Sequence, residues 1–228
     1  YNNLSLVFLE TKQYDSAKVY LEKAENIDPE NDVVSTNLAK VFRQMKQMDS
    51  AGFYFKKQFL GRVEDNAQAY AGVGLFYMGT RSYDSAIVYF KKAVEMDPSY
   101  IAGYNNIGAS YMNMEETDSA FAYYRKAVNL DSTYPNAALN LGLLYHSLSK
   151  YDSAIIYLQK AIRLNPSNGR TYYRIACSYA LNNQADDAVS YLKQAFEKGF
   201  KNYDVLINDP DLGGLKDNKE FQDLVEKY

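Results

Sequence analysis

The tetrapeptide Tyr14-Asp15-Ser16-Ala17 returns five times along the chain with small changes. The copies are Met48-Asp49-Ser50-Ala51, Tyr83-Asp84-Ser85-Ala86, Thr117-Asp118-Ser119-Ala120, Tyr151-Asp152-Ser153-Ala154 and Ala185-Asp186-Asp187-Ala188, at steps of 34, 35, 34, 34 and 34 residues. A fixed period of this length across nearly the whole sequence predicts a stack of supersecondary units in place of one closed globule. One such unit cannot bury its apolar face alone, so stacking is obligatory and the ends need caps. Stacked units present surface, which points to a binding scaffold.

Apolar spacing divides each repeat into two helices. In the first, Tyr70, Val73, Gly74 and Tyr77 fall at i, i+3, i+4 and i+7, and the slots recur as Tyr104, Ile107, Gly108, Tyr111 and as Tyr172, Ile175, Ala176, Tyr179. In the second, Ala86, Phe90, Ala93, then Ala120, Tyr124, Ala127, then Ala154, Leu158, Ala161 alternate small with large residues, which lets backbones approach closely. Asp28-Pro29, Asp97-Pro98 and Asn165-Pro166 punctuate the repeats at matching places, because proline lacks an N–H and biases its predecessor away from helix. The recurring Asp sits in the first turn of each second helix, facing the positive end of the macrodipole, and Lys56-Lys57, Lys91-Lys92 and Arg125-Lys126 are read as charges at the opposite end.

These residues resemble the tetratricopeptide repeat (TPR) family. Its pattern of an aromatic, Leu-Gly, Tyr, Ala, a large residue, Ala and Pro is matched by Tyr70, Val73-Gly74, Tyr77, Ala86, Phe90, Ala93 and Pro98. The resemblance covers about residues 1 to 200 and implies an all-α fold: an α-α superhelix of about six helix-turn-helix repeats, with a concave groove lined by the first helices that holds peptides or partner proteins. The expected repeats are 1-31, 32-66, 67-100, 101-134, 135-168 and 169-200, in a single structural domain with a capping segment at 201-228. In the second repeat Gln58 replaces the second small Ala, Gly61 and Val63 take the helix end and proline region, and one residue is added, so the array is expected to drift there. After Gly199 the period fails, and Asn208-Asp209-Pro210-Asp211-Leu212 leads to an amphipathic segment with Phe221, Leu224 and Val225, expected to lie across the last repeat. Tyr1 already occupies the slot of Tyr70, so the chain reads as a fragment or a mature form, or as the regulatory part of a larger protein. Cytoplasm and bacterial envelope both remain open.

Specificity is expected on the polar stripe of the first helices. Step counting places there Asn37, Lys40 and Arg43, then Gln68 and Met78, then Asn105, Asn106 and Met112, then Asn136, Asn140 and His146, then Arg170, Tyr173 and Arg174. Asparagine amides both donate to and accept from an extended peptide backbone, a role assigned to Asn37, Asn106 and Asn140. Lys40 and Arg43 form one basic point. Arg170 and Arg174, one turn apart, form another that suits bidentate capture of a carboxylate. With Asn140 they resemble part of the carboxylate clamp by which some TPR co-chaperones grip an acidic C-terminus, but Asn105 and Ala109 stand where that clamp brings Lys and Asn. Leu75, Met78 and Met112 offer an apolar anchor or simply fill gaps.

The tyrosines Tyr20, Tyr54, Tyr89, Tyr123, Tyr157 and Tyr191 occupy one repeated slot of the second helix and are read as packed rings with hydroxyls reaching water. The only histidine, His146, and the only cysteine, Cys177, differ by almost a turn in slot, so no Cys/His nucleophile is expected. No zinc set is expected, because the spacing clusters no carboxylates with them. Gly72, Gly74 and Gly79 follow no strand and make no phosphate loop. Neither an enzyme, nor a cofactor, nor a metal is predicted. The net charge of −3 and a pI near 5.3 argue against a polyanionic partner such as nucleic acid, and no run of residues is apolar enough to span a membrane. The sequence therefore predicts a scaffold for a protein or peptide partner. A homo-oligomerisation module is the alternative, and the oligomeric state stays open.

Overall fold

A computed structural model describes residues 1–60 and 66–227, without the side chains of residues 58–60. It is 79% helical with no strand among the described residues, the all-α class expected from the repeat. The chain forms two compact units, Tyr1–Met114 and Glu115–Tyr228. The first contains α1 (Asn2–Glu10) with α2 (Tyr14–Ile27), α3 (Asp32–Gln44) with α4 (Met48–Leu60), α5 (Ala67–Gly79) with α6 (Tyr83–Met96), and α7 (Ile101–Asn113). The second contains α8 (Thr117–Leu130), α9 (Pro135–Ser147) with α10 (Tyr151–Leu164), and α11 (Gly169–Leu181) with α12 (Ala185–Glu197). It closes with α13 (Val205–Asn208), a 3₁₀ turn (Pro210–Leu215) and α14 (Lys219–Lys227).

The predicted faces are the buried ones. Val73, Ile107 and Ile175 are wholly excluded from solvent, as are Ala86, Phe90, Ala93, Ala120, Ala127, Ala154 and Leu158 of the second helices. Small residues set the spacing within a pair. A Cβ on Gly74 would meet the Phe90 ring at 2.7 Å, and one on Gly142 would meet Leu158 at 2.8 Å. Close approach brings a ring from each helix of a pair into a stack: Phe8 on Tyr20, Phe42 on Tyr54, Tyr77 on Tyr89, Tyr145 on Tyr157 and Tyr179 on Tyr191, with centroids between 5.3 and 5.5 Å apart. Each stack contributes about 0.5–1.5 kcal/mol beyond the area it buries. The tyrosine slot is thus packed as expected, with one amendment to its hydroxyls: Tyr54 donates to Glu25, and Tyr191 accepts from Gln159.

The turn inside each repeat has a feature that glycine-based reading misses. Lys12, Lys46, Arg81, Glu115, Ser149 and Asn183 all have φ between 56° and 62°, at the same interval as the sequence repeat, and none is glycine. The turn is a Schellman motif: Lys12 N–H donates to Leu9 and Gln13 N–H to Phe8, and the same pair of bonds recurs at Lys46, Arg81, Ser149 and Asn183. These bonds satisfy carbonyls at the end of the first helix and offset the left-handed backbone. The second helix then opens with its Asp in the first turn, as expected. The basic pairs are corrected in part. Lys57 lies in the last turn of its helix, but α6 and α8 have no basic residue there; Lys92 sits over the rings of Tyr70 and Tyr89, and Arg125 over Phe121. The expected drift around Gly61 and Val63, with the Gln58 side chain, lies outside the described residues.

Gly199, at φ 85°, ends the last helix pair, and the chain turns back. Leu206, Leu212, Leu215, Phe221 and Leu224 then join one core with Tyr172, Tyr173, Ala176, Cys177 and Ala180 of α11 and with Ala188, Leu192 and Ala195 of α12. All five are almost fully buried, which is worth about 7–15 kcal/mol at 1.5–3 kcal/mol per side chain. The segment shares the core of the second unit.

Two substitutions test this account. A Cβ on Gly169 would lie 2.7 Å from the Ala195 carbonyl and 2.9 Å from that of Lys198, and backbone cannot step aside. Gly169→Ala is expected to destabilise the second unit by about 1–3 kcal/mol, read as a lower denaturation midpoint. Ser149→Gly is expected to raise the thermal midpoint, because relief of about 1–2 kcal/mol of left-handed strain exceeds the roughly 0.4–1 kcal/mol of added chain entropy, and Ser149→Val is expected to lower it.

Candidate functional site

In the first unit the polar stripe opens at α3. Helical spacing puts Lys40 and Arg43 one turn apart, both exposed. They line a cleft of about 360 Å³ together with Leu6, Leu9 and Glu10 of α1 and Tyr14 of α2. They also line a smaller cleft of about 130 Å³ on the other side, whose floor includes Ala39 and the rings of Phe55 and Phe76. Neither cation forms an ion pair or a side-chain hydrogen bond among the described residues. Two positive charges beside Leu6, Leu9, Phe55 and Phe76 suit an acidic group flanked by apolar side chains. Asn37 is not the free amide expected: it is 4% exposed, and its Nδ2 donates to Asn2 across 2.9 Å. The α1–α3 contact consumes that donor.

The other asparagines are also partly committed. Asn105 is buried and its amide faces Asn106, 3.5 Å away, whereas Asn106 and Asn140 are half-buried. Gln68 and Asn136 are exposed, Met78 and Met112 half-buried, and Leu75 exposed.

In the second unit the stripe is occupied by the chain itself. Tyr173, expected to project from the polar face, is 3% exposed beneath the C-terminal segment, stacked on Phe200 and donating its hydroxyl to Asp209. Burial, reinforced by that bond, pushes the Tyr173 hydroxyl above the ordinary tyrosine range. Arg174 is half-buried with its guanidinium over the Tyr173 ring, and Arg170 is exposed. His146 bridges three elements: Nδ1 meets Ser178 Oγ of α11 at 2.9 Å, and Nε2 meets Asp211 at 3.1 Å. Cys177 is wholly buried, and burial first, then the charges of Asp209 and Asp211, push its thiol up to about 12.

This neighbourhood corrects the expectation that no carboxylates cluster with the cysteine. Ligand atoms of Cys177, Asp209 and Asp211 lie within 4.8 Å of one another. Their local chemistry is that of a latch. Asp209 accepts from the Tyr173 hydroxyl and from the Asp211 N–H, Asp211 pairs with His146, and the thiol stays protonated. His146 and Cys177 make no hydrogen bond to each other among the described residues. Sequence reading missed the latch because its halves stand 36 and 65 residues apart, outside any repeat or motif spacing. The only signal was the run of acids at Asp209 and Asp211 next to a proline.

Comparison with known proteins follows the same lines. Family models described as tetratricopeptide repeat match residues 1–31 and 67–100, 99–167, and 157–190. A search of curated proteins finds no match. Among solved structures, that of MamA is 28% identical, covering 71% of this chain and 94% of its own, with a TM-score of 0.60. The C-terminal part of a TPR repeat-containing protein from Cytophaga hutchinsonii is 20% identical, covering 100% and 93%, with a TM-score of 0.67. YrrB, described as a TPR protein with an unusual peptide-binding site, is 20% identical, covering 78% and 92%, with a TM-score of 0.54. The last two likenesses concern the fold alone. No helix among the described residues is long and apolar enough to cross a membrane.

The state of the thiol gives a direct check on the latch. With its pKa raised from 9.0 to about 12, Cys177 stays protonated through pH 7–9 and is expected to react with a thiol reagent only after unfolding. Rapid labelling of the folded chain at pH 8 would contradict the buried placement.

Proposed function

Since the chain belongs to the tetratricopeptide repeat family and is a protein–protein interaction scaffold, we propose that its first unit holds an extended partner segment by an acidic group. The observation that carries this reading is the pair Lys40 and Arg43, exposed, unpaired among the described residues, and set between two clefts with aromatic and aliphatic walls. A carboxylate meeting both cations gains charge-assisted hydrogen bonds, and Arg43 presents a planar fork to it. Apolar side chains on either side of that acid enter the clefts, which gives the site a preference for an acidic residue flanked by hydrophobic ones. Asn106, half-buried on α7 with its Oδ1 facing the Asn105 amide, would offer its Nδ2 to a peptide backbone.

Arg170 and Arg174 make the weaker anchor. Arg174 is half-buried with its guanidinium over the Tyr173 ring, so it is less open to a partner's acid than the exposed Arg43. Arg170 remains exposed at the start of α11 and can add only a solvent-screened contact.

The test is binding of a peptide library, with free and with amidated C-termini, to the full chain and to two double variants. Lys40→Ala with Arg43→Ala is expected to weaken retained acidic peptides by about ten- to a hundredfold, the loss of one charge-assisted pair at about 1.5–3 kcal/mol. Arg170→Ala with Arg174→Ala is expected to change affinity by less than about threefold, as for exposed charges. Equal binding to free and amidated forms assigns the acid to a side chain, and loss on amidation assigns it to the C-terminus. Retention of acidic peptides that survives the first double variant and vanishes in the second would overturn the assignment.

A further inference from the structure

Four side chains of metal-ligating type converge in the second unit where α9, α11 and the C-terminal segment meet. Ligand atoms of Cys177 on α11 and of Asp209 and Asp211 in the C-terminal segment lie within 4.8 Å of one another. His146 of α9 brings its Nε2 to 3.1 Å from an Asp211 oxygen. Around a tetrahedral zinc ion, with bonds of about 2.0–2.3 Å, ligand atoms stand roughly 3.3–3.7 Å apart. The contact between His146 and Asp211 already has nearly that length, and the other three atoms reach it by drawing in no more than about 1.5 Å.

Charge and hydrogen bonding around these groups favour a cation. Two half-buried carboxylates this close repel one another, and among the described residues neither Asp209 nor Asp211 forms an ion pair with a lysine or arginine. A divalent ion between them turns that repulsion into binding. The Ser178 hydroxyl donates to the Arg174 carbonyl, so it accepts from His146 and places a ring proton on Nδ1. A neutral imidazole held this way turns the lone pair of Nε2 toward the Asp211 carboxylate, a contact that a shared cation makes favourable. Asp209 is oriented by the Tyr173 hydroxyl and the Asp211 N–H, one on each oxygen, and each oxygen keeps a further lone pair. With the side chains of His146 and Asp211 15% and 26% exposed, an ion can enter from solvent.

We propose that Cys177, Asp209, Asp211 and His146 bind a zinc ion, which ties the C-terminal segment to α9 and α11. Sulfur and imidazole select zinc over magnesium and calcium, which take oxygen ligands. On binding, the Cys177 S–H bond breaks, a zinc–sulfur bond forms, and the proton leaves to solvent. Ser178 and Tyr173 hold His146 and Asp209 as outer partners. The site uses no residue of the peptide-binding face assigned to Lys40 and Arg43.

The test is titration of the metal-free full chain with cobalt(II), whose bond to a thiolate gives a near-ultraviolet charge-transfer band, followed by displacement with zinc. The band is expected to saturate at one cobalt per chain and to bleach with zinc, and zinc is expected to raise the thermal midpoint. Cys177→Ser is expected to remove the band, and Asp209→Asn with Asp211→Asn to weaken zinc binding by at least about tenfold. Circular dichroism of the metal-free variants reports whether they fold; if the double variant does not, the nearly isosteric Cys177→Ser decides. A folded chain that gives no charge-transfer band, and whose midpoint zinc does not move, would overturn the proposal. Zinc affinity unchanged in Cys177→Ser would also overturn it and mark an adventitious surface ion, as would stabilisation by calcium or magnesium but not by zinc.

Discussion

Everything in this structure depends on how closely the two helices of a repeat approach. Glycine at positions such as 74 and 142 and alanine across the second helices bring backbones near enough that a large side chain, Phe90 or Leu158, fills the space a Cβ would take. At that spacing the two aromatic slots of a repeat stack at an almost constant distance. One geometry then serves for the five helix pairs that lie within a single unit.

The period itself, the buried faces, the acidic first turns and the all-α class were legible because they depend on local spacing that repeats six times. Other features were not. The left-handed turn residues were hidden because the usual mark, glycine, is absent: Lys12, Lys46, Arg81 and Ser149 adopt the conformation because the Schellman hydrogen bonds hold it, and only Asn183 is a residue that favours it. The basic pairs were misread in part, because ring faces supplied by neighbouring positions attract Lys92 and Arg125 more directly than a helix end does. Of the site residues, Lys40 and Arg43 stand exposed where step counting put them, whereas Asn37 and Tyr173 are buried by contacts with Asn2 and Asp209 that no periodicity encodes.

Those two contacts divide the polar stripe by function. Around Tyr173 the chain supplies its own acids, fixed by five buried apolar side chains whose removal would cost far more than one peptide contact returns. The stripe there is a structural surface that closes the second unit. Around Lys40 and Arg43 the cations are left to solvent between apolar walls, so a partner that brings an acid finds charge and hydrophobic contact in one place. The chain's net charge of −3 makes this a local attraction, one that salt will weaken.

The most direct measurement is an NMR titration of the isotopically labelled chain with an acidic peptide flanked by apolar residues. The account predicts saturable shifts at Thr36, Lys40, Arg43, Phe55 and Phe76, with signals of Arg170, Tyr173 and Arg174 unmoved. Shifts concentrated on α11 and the C-terminal segment, with α3 silent, would contradict it.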